Sequence, residues 1–343
     1  MLDLSPMTST PFIPHPWLPG PHRMTLIPRW WPRGRFPAGM FTQDRIFQVT
    51  PEIGLLTKCH WQPSPSTHPT VLIVHGLEGC TESHYMRGLA QKAWEAGWNS
   101  IRINQRNCGG SEHLTPTLYH NGLSQDYLSI IREITEQDGC HQVWLVGYSM
   151  GGNLTLKLAG ELGSSLSSLR GVVAVCPNIQ PAACVRALQR PSNWIYHRYF
   201  LKSLKAKLRK KSQLYPDQWD LSRLSSIRTM WEFDEVYTAP DGGYRDATDY
   251  YEKSAARNGL ASITIPTLIM ASQDDPFIPY DIFTEPSLHS NPWIQLLAPP
   301  HGGHCGFFQR SHPHEDPFWA ENRIIDFIRI HEEFTNKPVS HAT

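Results

Sequence analysis

The chain has 343 residues, 40% of them hydrophobic, and its 31 Lys plus Arg balance 31 Asp plus Glu. The balanced charge argues against a nucleic-acid binder, and no window approaches the ~18 consecutive apolar residues of a membrane span. The length is ample for one large core. The start, MLDLSPMTST, has neither a basic n-region nor an apolar h-region, and the seven cysteines are scattered and odd in number. Together these features predict a cytoplasmic protein with reduced thiols.

Nine of the 29 prolines fall in the first forty residues, together with Trp17, Trp30 and Trp31. Proline blocks helix interiors and central strands, and tryptophan is costly to leave in water. Residues 1–40 are therefore expected to form an extended or turned arm packed on the main domain. DRIFQVT and GLLTKCHWQ then predict a β-hairpin. Beyond it strand and helix patterns alternate: strands at 70–76, 98–104, 142–149, 171–177, 266–272 and 293–299, and helices at 82–95, 123–137, 151–162 and 319–334. This alternation predicts a mostly parallel sheet with helices on both faces, built from 41–177 and 263–343. Residues 178–262 interrupt it with an aromatic, charged and mostly helical stretch. That position suits a lid over the strand ends, where open α/β sheets bind ligands.

Gly147-Tyr148-Ser149-Met150-Gly151 fits G-x-S-x-G between a buried strand and a helix, the context in which a serine is exposed on a sharp turn. Ser149 is the expected nucleophile. It needs a basic imidazole and an orienting acid, which in such a fold follow it on loops after later strands. The first of these loops offers Asp274 and Asp275, the second His301 and His304. His304 lies deeper in the glycine-flanked turn, where a side chain can approach the serine closely. Backbone N–H groups of Met150, directly after the serine, and of Leu77, in the loop after strand 70–76, are the expected oxyanion donors. Glu78, beside Leu77, either fixes that loop or is a surface carboxylate.

These motifs resemble one branch of the α/β-hydrolase superfamily, which holds YheT-type hydrolases, eukaryotic abhydrolase-domain lipases and yeast ethyl-ester acyltransferases. The shared marks run along nearly the whole chain. They are Pro16-Trp17-Leu18 through Ile27-Pro28, His75-Gly76-Leu77-Glu78-Gly79, Arg106-Asn107-Cys108-Gly109-Gly110 and the serine elbow. To these add Glu232-Phe233-Asp234, Thr238-Ala239-Pro240, Asp249-Tyr250-Tyr251, Asp275-Pro276-Phe277 and Gly302-Gly303-His304-Cys305-Gly306-Phe307. The resemblance implies the α/β-hydrolase fold, a Ser149–Asp275–His304 triad, no cofactor, and a small acyl ester or lipid as substrate. Acyl transfer to an alcohol is the alternative reaction, and a catalytically silent binding protein the alternative class.

Two further features have rival readings. His301, His304, Cys305, His312 and His314 could be taken for a metal cluster, but their glycine- and proline-rich surroundings suit a tight loop as well, and no metal is expected. Residues 200–211 place Phe200, Leu201, Leu204 and Leu208 on one helical face amid six cations. That pattern fits peripheral contact with an anionic membrane, or a lid helix with a solvated face. The lid aromatics Trp194, Tyr196, Trp219, Trp231, Tyr237 and Tyr244 could line an acyl pocket or hold the lid together.

Overall fold

The computed structural model describes residues 11–335 except 312 and 314. In chain order the principal elements are α1 (Pro21–Leu26), β1 (Gln43–Thr50), β2 (Ile53–His60), β3 (Thr70–Val74), α2 (His84–Glu95), β4 (Asn99–Ile103), α3 (Gln125–Gln137), β5 (Val143–Tyr148) and α4 (Met150–Leu162). They continue with β6 (Leu169–Val175), α5 (Pro181–Leu188), α6 (Trp194–Leu214), α7 (Ala247–Ser254), β7 (Thr267–Met270), β8 (Ile294–Leu297) and α8 (Trp319–Thr335). The eight strands form one sheet in the order β1-β2-β4-β3-β5-β6-β7-β8. The β1–β2 and β2–β4 pairings are antiparallel, and every pairing from β4 to β8 is parallel. This is the mostly parallel sheet that the alternating pattern predicts, in the α/β-hydrolase fold that the resemblance implies.

The central strands β3, β4 and β5 are buried at every position because both faces of the sheet are covered. In β3, Leu72 and Val74 pack on the side of α3 and α4, while Val71 and Ile73 pack on the side of α2 and α8. The strands' carboxyl ends therefore share one edge, where the loops can converge. The segment between β6 and β7 supplies α5, α6, α7 and a helical run over residues 230–241, which contains a π-helical turn at Asp234–Thr238. Its side chains are continuous with the core on the α4 side of the sheet.

The arm packs on the domain, but not as its tryptophans suggest. Trp17 and Trp30 are 75% and 70% exposed. Leu18 and Met24 are buried instead, against Phe308 and Phe318. Phe12 meets the rings of Phe307 and Trp319, Trp31 packs against Phe308, and Arg33 forms a buried ion pair with Glu321. Smaller side chains thus carry the packing, and Trp31 alone of the three tryptophans joins it. Among the described residues no helix is long and apolar enough to cross a membrane.

Candidate active site

Ser149 sits between β5 and α4 with φ 55° and ψ −117°, a backbone conformation that an L-residue rarely holds. The surrounding crossing is tight: a Cβ at Gly147 would lie 2.1 Å from the carbonyl oxygen of Gly151. The strain is held by packing and by the Ser149 N–H, which donates to the Val175 carbonyl at 2.8 Å. The turn projects Ser149 into a cleft that Leu77, Met150 and Phe277 also line.

The two acid candidates separate cleanly. Asp275 Oδ2 lies 2.7 Å from His304 Nδ1, and its other oxygen accepts the backbone N–H groups of Phe277 and Ile278 at 3.0 and 2.9 Å. That carboxylate is only 1% exposed and cannot turn away. Asp274 instead accepts the Gly303 N–H at 2.9 Å and meets the outward-facing His301 at 3.2 Å. It shapes the histidine loop from outside. The Phe277 ring, which also lines the cleft, packs on the His304 imidazole with centroids 4.1 Å apart.

Burial works to lower the His304 pKa, but the adjacent Asp275 carboxylate overrides it and lifts it to about 9. The Asp275 carboxylate thus stabilises the positive charge that the imidazole acquires when it takes up a proton. The histidine loop also meets the serine turn. Val175 O, which accepts the Ser149 N–H, accepts the Cys305 thiol at 3.7 Å as well.

Leu77 and Met150 both line the cleft. Among the described residues neither N–H donates to another protein group, and Met150 is the first residue of α4, where helix N–H groups lack internal partners. Two free donors near the serine, one at a helix N-terminus, suit a developing negative charge. His75 anchors the loop. Gln105 N–H donates to His75 Nε2 at 3.0 Å, so Nδ1 carries the proton and donates to Gly76 O at 2.7 Å.

Glu78 is a connecting residue and not a surface carboxylate. Tyr119 Oη donates to its Oε1 at 2.5 Å and Lys207 Nζ to the same oxygen at 2.7 Å, while Ser203 bonds the other oxygen. Ser203 and Lys207 both belong to α6, so Glu78 ties the Leu77 loop to that helix. The cations of 200–211 are accordingly spent inward to a large extent. Lys205 donates to Ile227 O and Lys211 to Thr115 O and Glu112 O, while Lys210 pairs with Glu112. Of the six cations, Lys202, Arg209 and the half-exposed Lys210 remain on the outer face.

Several residues of the site escaped sequence reasoning. Thr25 in α1 accepts the His304 N–H at 2.8 Å while donating to Pro21 O. The arm approaches so closely that a Cβ at Gly306 would lie 2.1 Å from Met24 O. None of the six lid aromatics singled out lines the cleft. Its walls come from Val185, Leu188, Phe200, Leu204 and Met230, with Tyr250, Tyr251, Asn121, Asn178 and Asp234 as polar members. Burial pushes the Asp234 carboxyl up to about 6, and Tyr251 Oη donates to it at 2.6 Å. It stands in the π-helical turn, a distortion that is frequent at functional sites. The sequence offered Asp234 only as part of the shared Glu232-Phe233-Asp234 mark, with no role attached. Of the proposed metal cluster, His312 and His314 lie outside the described residues and His301 points to solvent.

The chain matches the family model described as alpha/beta hydrolase fold over residues 69–311. It is 30% identical over 341 residues, 95% of both chains, to the putative esterase YheT of Escherichia coli K12. It is 27% identical over 278 residues to phospholipase ABHD3 of Mus musculus, spanning 81% of this chain and 66% of that one. Among solved structures it is similar to the Pyrococcus furiosus esterase Pf2001, with a TM-score of 0.55 and 16% identity over 87% of this chain and 98% of that one. At that identity the structural likeness speaks for the fold alone.

Proposed function

The chain belongs to the alpha/beta hydrolase fold family, in its YheT-type branch, and from that premise we propose that it is a serine carboxylic-ester hydrolase working through an acyl-enzyme. The observation that carries the reading is the strained Ser149 turn beside the loop of the Asp275–His304 pair, the two loops sharing the Val175 carbonyl.

In the proposed cycle Asp275 holds the Nδ1–H of His304, leaving Nε2 to take the Ser149 hydroxyl proton as Oγ attacks the acyl carbonyl. The carbonyl oxygen becomes an oxyanion and accepts the N–H groups of Leu77 and Met150. The intermediate collapses, the C–O bond to the alcohol breaks, and His304 returns the proton to the leaving alkoxide. Water then gives its proton to His304, attacks the acyl carbon, and releases the acid and the serine. Each removed oxyanion donor is worth ~10²–10³ in turnover. The apolar walls from α5 and α6 suit an acyl chain of short to medium length, and no cofactor takes part. Relatives named as an esterase and a phospholipase support ester or lipid substrates.

The test is turnover of p-nitrophenyl esters of rising chain length in mixed water and ethanol. Wild type is expected to release free acid with an optimum set by the cleft, and Ser149→Ala to lose about 10⁶-fold in turnover. Ethyl ester as the main product would make the protein an acyltransferase. A folded wild type that turns over none of the series would contradict the reading.

A further inference from the structure

The ester chemistry leaves two thiols beside the catalytic imidazole without a task. Cys176 follows β6 and is fully buried, and Cys305 follows His304 in the chain and is partly exposed. Their sulfurs and a ring nitrogen of His304 all lie within 4.8 Å of one another. Cys176 is 128 positions upstream of His304, so the grouping has no sequence signature. It is a different set from the histidine-rich run of 301–314.

We propose that Cys176, His304 and Cys305 form an inhibitory site for Zn²⁺, resting on the reading of His304 as the catalytic base. Zinc prefers thiolate and imidazole, and three protein ligands with a water complete its tetrahedral shell. An ion at the centre of a triangle with sides of 4.8 Å lies about 2.8 Å from each corner. Zinc binds these ligands at ~2.0–2.3 Å, so each has to close by about half an ångström. The Cys305 N–H donates to Cys176 Sγ at 3.3 Å, which already holds the two cysteines together; burial keeps the Cys176 thiol protonated, so the ion has to displace that proton.

The imidazole is held correctly for this role. Asp275 occupies Nδ1 at 2.7 Å and leaves Nε2 to the ion, which produces the carboxylate–histidine–zinc arrangement common around bound zinc. That nitrogen is the one required to take the serine proton. If the ion took Nδ1 instead, it would break the Asp275 pairing. Either way the base is lost while Ser149 stays in place, so inhibition is complete when the ion is bound and reversible when it is removed. Both thiols release their protons to solvent on binding, with no change of oxidation state.

The experiment uses the full chain, stripped with EDTA and titrated with Co²⁺ and Zn²⁺. Co²⁺ is expected to bind once per chain with a thiolate-to-cobalt charge-transfer band, and Zn²⁺ to abolish that band and stop ester turnover until EDTA is added. Cys176→Ser and Cys305→Ala should each keep the metal-free turnover. Each should weaken inhibition by about 100-fold or more, beyond the ~10–100-fold that loss of an outer partner costs. Zinc protection of wild-type Cys305 from alkylation, read by mass spectrometry, decides the matter should either variant fail to fold. Co²⁺ bound without a thiolate band, inhibition unchanged in both folded variants, or no protection of Cys305 would each overturn the site. The cobalt spectrum and the alkylation need no turnover, so failure of the hydrolase reading would be told apart from failure of the metal site.

Discussion

Asp274 and Asp275 are adjacent, yet the loop gives them opposite duties. Asp275 is clamped between two backbone N–H groups and His304 Nδ1, whereas Asp274 caps the Gly303 N–H from outside. Asp275→Asn is therefore expected to lower kcat by about 10⁴-fold, since an amide cannot hold the required tautomer. Asp274→Asn keeps an oxygen acceptor for Gly303 and should stay within a few-fold of wild type. Equal losses in the two variants would contradict this division. At this scale the sequence was legible in placement: Ser149 stands on the strained turn, and His304 faces a buried carboxylate while His301 faces outward. Choosing Asp275 over Asp274 leaned on the family resemblance, because two neighbouring carboxylates look alike until the turn that aims them is known. Thr25 and Cys176 were not legible at all. Each reaches His304 across more than a hundred residues of chain, and neither belongs to a motif with the spacing of a catalytic or metal site.

Helix α6 shows how an amphipathic pattern can mislead. Its basic residues read as a charged outer face, but Lys207 is 11% exposed and pairs with Glu78, itself 4% exposed. The ammonium also lies 4.3 Å from the Tyr119 ring centroid. Periodicity reports which positions share a face. It does not report that a neighbouring loop brings a carboxylate to that face. Breaking one partner of a buried pair leaves the other charge uncompensated, at a cost of ~3–5 kcal/mol. Lys207→Met is expected to lose stability in that range by urea denaturation, and the double variant Glu78→Gln/Lys207→Met to recover most of it. Because Glu78 follows Leu77, Glu78→Gln alone should also reduce kcat more than it raises KM with a good ester. An additive double variant, or a Glu78→Gln enzyme with unchanged kcat, would show that α6 and the oxyanion loop are uncoupled.

For the whole molecule, the two-sided sheet was the most legible feature, since continuous apolar strands between amphipathic helices leave few alternatives. The arm was only half legible: its packing was expected, but not that Leu18 and Met24 would carry it while Trp17 and Trp30 stay exposed. Composition says that a tryptophan prefers burial; it does not say which apolar neighbour gets there first. The fold also buries several histidines in their neutral form. Burial, with lesser contributions from nearby charges, pushes His60 and His75 down to about 4, and His84 and His120 down to about 3. Their native pKa lies below the unfolded value near 6.5, so their contribution is fully present above that pH and is lost as pH falls through the window. Asp234 and Asp241, both pushed up to about 6 by burial, act in the opposite sense below that pH. With four groups against two the net slope stays downward, about 1.4 kcal/mol per pH unit for each uncompensated proton. Thermal melts should fall between pH 6.5 and 4 and also decline from pH 6.5 to 9, where the raised His304 gives up its proton and its stabilising pairing with Asp275. A melting temperature that holds steady between pH 6.5 and 4 would contradict the assignment of neutral buried imidazoles.

The central claim is that Ser149 is the activated nucleophile of this cleft. Its most direct test is treatment of the purified chain with a fluorophosphonate, followed by mass spectrometry of the intact protein and its peptides. One phosphonyl group on the peptide carrying Ser149, absent from folded Ser149→Ala, is the predicted result. An unlabelled but folded wild type, or a label on another serine that persists in the variant, would contradict it.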